Sequence, residues 1–210
     1  MVISDKYKFI FFHIHKNAGT TIDQALDDYY DHWPILADKI GYSDKKKTYQ
    51  GSFNGLNLDC TRYRQLLSID EGYRKLVEDY FCFTFVRNPY DRHFSFYNMQ
   101  VRRGHIDKIP FAKFRKEYPQ QIDYLPSLSN VDFIGRVENF DLDILKLKNY
   151  LGNDFEHVNF DPKNTNSDTG KFYRYLEKYN KDTVDFVNNA YRKDFEKFNY
   201  DLLSPDDFSI

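Results

Sequence analysis

The chain has 210 residues, with 30 Lys and Arg against 32 Asp and Glu for a formal charge of −2, and its mean hydropathy is −0.73. That length gives one ordinary domain, 1–210, and the balanced charge excludes a global field for nucleic acid or anionic membrane, so any anionic ligand must be held locally. The longest apolar runs are a few residues, far short of the roughly 20 that span a bilayer, and the start lacks an apolar leader, so a cytoplasmic protein is expected. Two cysteines, Cys60 and Cys82, fit a reducing compartment and make no metal spacing. With 18 Tyr and 20 Phe, the chain is read as building its core from aromatics, with some Tyr available as a sugar platform.

In chain order, 8–14 (KFIFFHI) reads as a buried strand that runs into the small-residue turn Asn17, Ala18, Gly19. A helix opens at Thr20 or Thr21 and runs to about Tyr30, with Ile22, Ala25, Leu26 and Tyr29 inward. Residues 31–58 read as irregular. Helix is expected over 66–80, a second buried strand over 81–86 (FCFTFV), and a helix capped by Asn88 with Pro89 in its first position. On that helix Tyr90, Phe94, Tyr97 and Val101 form an apolar stripe expected to pack on the sheet. A third strand is placed at 131–135, a helix at 140–151 stopped by Gly152, and a last helix at 181–195 with Val184, Val187, Tyr191 and Phe195 inward. Strands alternating with helices predict an α/β fold with a parallel sheet, which binds ligands beyond the carboxyl ends of its strands.

Two segments at such ends carry chemistry. The first is HIHKNAGTT, 13–21, a strand-turn-helix in which Gly19 permits close backbone approach and the N–H groups of the helix start face an anion. Lys16, Thr20 and Thr21 supply the charge and hydroxyls that a phosphate also needs, and the plainer alternative is a capped turn with an exposed lysine. Lys16 precedes the glycine, so this is no GxxxxGK[ST] loop. The second is FCFTFVRNPYDRHFSFY, 81–97, where Arg87 leaves a buried strand and Ser95 lies two turns along the following helix. Together they can grip one anion, whereas the plainer role of Arg87 is an ion pair with Asp91.

The first segment resembles the HIPKTAGTT loop of the PAPS-dependent carbohydrate sulfotransferases of the heparan 2-O and chondroitin 4-O group, with His15 for Pro and Asn17 for Thr. The second is similar to the 3′-phosphate signature FxFVRNPYDRxxSxY of the same family. The segment 131–152 resembles its GRxENxxxD stretch, and 190–201 (AYRKDFEKFNYD) its terminal YxxDFxxFGY helix, with Asn199 where Gly is usual. The likeness spans 8 to about 201, leaving 31–58 and 105–125 unmatched; acceptor identity is assigned to those loops.

This resemblance implies a P-loop-like three-layer fold, a central parallel sheet flanked by helices. It also implies transfer of a sulfuryl group from PAPS to an acceptor hydroxyl, carried by a carbohydrate or glycan, with adenosine 3′,5′-bisphosphate released. Lys16, Asn17, Ala18, Gly19, Thr20 and Thr21 would hold the 5′ side of the donor, with Lys16 also catalytic at the bridging oxygen, and Arg87 with Ser95 the 3′-phosphate. No metal is required, and His13 and His15, taken to face opposite sides, are not read as metal ligands. The base is open: where relatives carry a KHAT-like His this chain has LDCTRY, leaving Asp59, His105 and His15 as candidates. Competing readings are an ATP- and Mg²⁺-dependent phosphotransferase, disfavoured by the lack of an acidic metal ligand after a strand, and a non-catalytic module that binds the nucleotide. Oligomeric state is not legible.

Overall fold

The computed structural model describes residues 1–29, 52–53, 56–57, 62–68, 71–106, 109–161 and 174–208. The chain divides into two compact units, Met1–Val86 with Asp123–Lys163, and Arg87–Ile122 with Asn164–Ile210, a division that no Gly- or Pro-rich linker marks.

The first unit is built on a four-stranded sheet in the order β1-β2-β5-β6, formed by β1 (Val2–Ser4), β2 (Phe9–Phe12), β5 (Phe81–Val86) and β6 (Phe133–Arg136). β2, β5 and β6 are parallel, with Phe11 opposite Phe83 and Phe83 opposite Phe133. β1 runs antiparallel to β2, so the fold is α/β with a mixed sheet rather than a purely parallel one. The sequence reading missed β1 because a three-residue strand joined by a tight hairpin carries too short an alternation to register. A separate antiparallel pair, β3 (Ser52–Phe53) with β4 (Leu56–Asn57), lies inside the stretch expected to be irregular.

Alternation along the strands divides the side chains between the two faces. Phe9, Phe11, Phe83 and Phe85 form one cluster with Ile22 of α1 (Gly19–Ala25), Leu26 just beyond it, and Ile144 and Leu147 of α5 (Phe140–Leu151). On alternate positions, Phe12 meets the ring of Tyr63 from α2 (Tyr63–Leu67), and the Cys82 thiol reaches the Val77 carbonyl of α3 (Gly72–Asp79). Gly135 faces Phe85 across the β5–β6 pair, and a Cβ there would lie 2.5 Å from the Phe85 ring, so this glycine makes room for an aromatic side chain. Gly152, at φ 93°, ends α5 where the sequence places the stop.

The expected helix to Tyr30 ends regularly at Ala25 and continues as turns to Tyr29, and the expected 66–80 helix is described as two pieces, α2 ending at Leu67 and α3 starting at Gly72, with Ser68 and Glu71 in turns. In the second unit, α4 (Pro89–Arg102) begins as expected, the Asn88 side chain accepting from the Tyr90 N–H. Its buried face runs through Tyr90, Arg92, His93, Phe96, Met99 and Gln100, so of the expected stripe only Tyr90 is fully buried. The buried side chains meet Phe111, Phe114, Tyr179, Val184, Val187, Tyr191 and Phe195. Arg92 and His93, which hydropathy sends to solvent, go inward because polar partners wait there: Asp194 for the one, the Tyr191 hydroxyl for the other.

The expected 181–195 helix breaks at Tyr191 into α6 (Lys181–Ala190) and α7 (Arg192–Phe198), with all four expected apolar residues buried. Asn199, at φ 53°, closes α7 in the left-handed region, where Asn is the best substitute for Gly. Among the described residues, the eleven largest fully buried side chains are all Phe or Tyr, which bears out the aromatic core.

Candidate active site

The 13–21 loop belongs to the first unit. β2 stops at Phe12, so His13 and His15 lie beyond the strand, and their rings approach to 6.3 Å instead of facing opposite sides. The His13 ring stacks on Phe11 and lies against Gly19, where a Cβ would come within 2.0 Å of it. Burial drives the His13 imidazole well below its ordinary pKa, keeping it neutral under the loop.

Lys16 and Ala18 both adopt left-handed backbone, at φ 71° and 59°. Such conformations cost a non-glycine residue about 1–2 kcal/mol each, and persist only where the surroundings fix them. Asn17, between them, supplies the fixing: it is 1% exposed and its Nδ2 donates to the Phe85 carbonyl at 2.8 Å, tying the loop to β5 two residues before Arg87. Asn17 therefore serves the loop from inside. The N–H groups of Thr21 and Ile22 are taken by the Ala18 carbonyl, while those of Ala18, Gly19 and Thr20 find no backbone acceptor among the described residues. Thr20 is exposed and Thr21 buried, so Thr20 is the hydroxyl at the loop surface; Lys16 and His15 are half-buried.

Arg87 and Ser95 belong to the second unit. Arg87 Nε pairs with Asp91 at 2.6 Å, and the side chains are 13% and 23% exposed, so the plainer role foreseen for Arg87 is filled. Ser95, half-buried, follows Asp91 by one helical turn on the same face of α4. The Arg87 peptide is gripped as well: its N–H donates to Gln121 Oε1 at 2.8 Å and its carbonyl accepts from Gln121 Nε2 at 2.9 Å. No motif in the sequence marks Gln121, which lies in the 105–125 stretch. His105 is exposed just past α4, its N–H on the Gln100 carbonyl, and Asp59 lies outside the described residues.

A profile of the sulfotransferase family matches residues 1–124, more than half of the chain. The chain belongs to the sulfotransferase family. That match takes in both chemistry-bearing segments of this sulfotransferase, the 13–21 loop and the 81–97 stretch. No curated protein and no solved structure was found to match. Among the described residues, no group of three or more His, Cys, Asp or Glu could hold a metal ion, and no helix is long and apolar enough to cross a membrane.

Proposed function

We propose that this sulfotransferase moves a sulfuryl group from PAPS to an acceptor hydroxyl on a carbohydrate, and that 1–210 acts as a single sulfotransferase domain of the P-loop-like, three-layer type. The observation that carries the reading is the 13–21 loop, shaped in advance by two left-handed residues, with a lysine and three consecutive N–H groups that have no backbone acceptor among the described residues. Such a cradle fits the doubly anionic 5′ end of the donor. Lys16 would stabilise charge as it develops on the bridging oxygen, and Thr20 and the Ala18–Thr20 amides would hold the phosphate. Arg87 and Ser95 would take the 3′-phosphate, a planar guanidinium suiting that anion better than an ammonium.

In the transfer the acceptor oxygen bonds to sulfur as the sulfur–oxygen bond to the 5′-phosphate breaks; the acceptor proton passes to a base, and adenosine 3′,5′-bisphosphate leaves. His15, Asp59 and His105 are the candidates for that base, with His15 the one adjacent to Lys16 in sequence. Family membership favours sulfuryl over phosphoryl transfer.

The test is thermal stability with adenosine 3′,5′-bisphosphate, with ADP, and with ATP plus Mg²⁺. Ligand at 100 times its Kd stabilises by about 2.7 kcal/mol, or roughly 5–10 °C for a chain of this size. A shift with the bisphosphate that disappears in Arg87→Ala supports the reading; a shift only with ATP and Mg²⁺ overturns it. Binding without any sulfuryl transfer to a panel of glycans would indicate the non-catalytic module.

A further inference from the structure

We propose that Gln121, with Asp194 behind it, is a positioning residue for Arg87 and so sets the selectivity of the site for a 3′-phosphorylated nucleotide. This rests on Arg87 as the 3′-phosphate ligand. Arg87 sits between the end of β5 at Val86 and the start of α4 at Pro89, outside both regular elements. One primary amide grips both of its peptide groups: the Gln121 side chain accepts from the Arg87 N–H at 2.8 Å and donates to the Arg87 carbonyl at 2.9 Å.

Gln121 is itself anchored. It is 0% exposed, and its backbone N–H donates to Asp194 Oδ2 at 2.8 Å while the next residue, Ile122, donates to Oδ1 at 3.0 Å. Asp194, on α7, is also 0% exposed, and Arg92 Nη1 stands 3.9 Å from it. The series runs from a buried carboxylate, through two amide donors, to a buried amide, to the peptide of Arg87, whose Nε is then held by Asp91 at 2.6 Å. Arg87 is thus fixed at its N–H, its carbonyl and its guanidinium.

Desolvating a carboxylate and an amide to brace one peptide unit is a costly way to make a surface turn, since water would satisfy the same groups. It is a direct way to fix where a guanidinium begins, and binding geometry depends on that to within about half an ångström. The chemistry also selects the residue. Glu at 121 would accept from the Arg87 N–H but set a carboxylate oxygen against its carbonyl, and Asn would fall one methylene short.

The experiment compares affinity for adenosine 3′,5′-bisphosphate with affinity for adenosine 5′-monophosphate, by titration calorimetry on the full chain. The variants are Arg87→Ala, Gln121→Glu and Asp194→Asn. We expect Gln121→Glu to lower the bisphosphate-to-monophosphate ratio by about ten- to a hundredfold, with monophosphate affinity changing less than about twofold. Asp194→Asn, which keeps one oxygen acceptor, should move the ratio the same way by less. A residue needed only for folding would lower the melting temperature and leave the ratio alone, and that result overturns the inference. Should Gln121→Glu fail to fold, Asp194→Asn decides in the same terms. If Arg87→Ala leaves the ratio unchanged, the 3′-phosphate reading itself falls; if Arg87→Ala abolishes selectivity and neither brace variant changes it, only the positioning role falls.

Discussion

Gly19→Ala sets two effects of opposite sign against each other. Gly19 is the first residue of α1, and helix propensity alone favours Ala there by at most about 1 kcal/mol. The added Cβ, however, would lie 2.0 Å from His13 Cδ2 and 2.1 Å from Nε2, inside any permitted contact. The ring cannot swing aside cheaply, because it is stacked on Phe11 at 5.8 Å between centroids and 20° between planes. Overpacking of this kind costs about 1–3 kcal/mol, so the net expectation is a loss of about 1–2 kcal/mol. For a chain of this length that lowers Tm by roughly 2–8 °C. With His13→Ala as background the clash is gone and the same substitution should stabilise, by up to about 1 kcal/mol. Thermal melts of the wild type, the two single variants and the double variant measure this as a coupling of about 2 kcal/mol. A Gly19→Ala effect of equal size in both backgrounds would refute the argument that His13 dictates glycine at this position.

Lys16→Ala should reduce the rate of sulfuryl transfer by about 10²- to 10³-fold while bisphosphate binding weakens far less; a near-normal rate in a direct transfer assay would remove Lys16 from the chemistry. His93, 1% exposed, has its pKa lowered by burial to about 4. Since the unfolded chain takes up that proton near pH 6.5, the stability His93 contributes is whole above 6.5 and lost as pH falls toward 4, up to about 3 kcal/mol. His13 acts in the same sense, and Asp194, whose carboxyl burial pushes upward, in the opposite one. Denaturant titrations at pH 7, 6 and 5 should show a slope that flattens in His93→Gln, and an unchanged slope counts against it. Asn199→Gly should be neutral or stabilising and Asn199→Ala destabilising by about 1 kcal/mol, read by the same melts; equal effects would contradict the left-handed cap.

The parts of the fold visible in sequence were those with a local signal. FCFTFV is apolar and bounded, Asn88-Pro89 is a cap and first turn in two letters, and Gly152 is a stop; all three lie where expected. The end of α2 at Leu67 and the break at Tyr191 were not visible, because apolar spacing persists past a helix end where the next helix shares the core. The left-handed Lys16 and Ala18 were equally hidden, since neither residue type favours that conformation and the fixing contact comes from Phe85, 68 residues from Asn17. Gln121 is the plainest case: its role consists of hydrogen bonds to Arg87 and Asp194, distant in sequence, and no pattern in the 105–125 stretch encodes them. Asp194 did lie in a motif, yet only its partners show that the motif braces an arginine.

The short strand β1 bears on how this protein is made. β2 is Phe-Ile-Phe-Phe, and its parallel partner β5 lies 72 residues on, Phe9 against Phe81. At translation speeds of about 5–20 residues per second, that partner emerges some 4–15 s later. β1, by contrast, is joined to β2 by four residues and pairs with it at once through Ile3 and Ile10. For those seconds it is the strand at hand to occupy one side of a bare aromatic segment that would otherwise pair with neighbouring nascent chains.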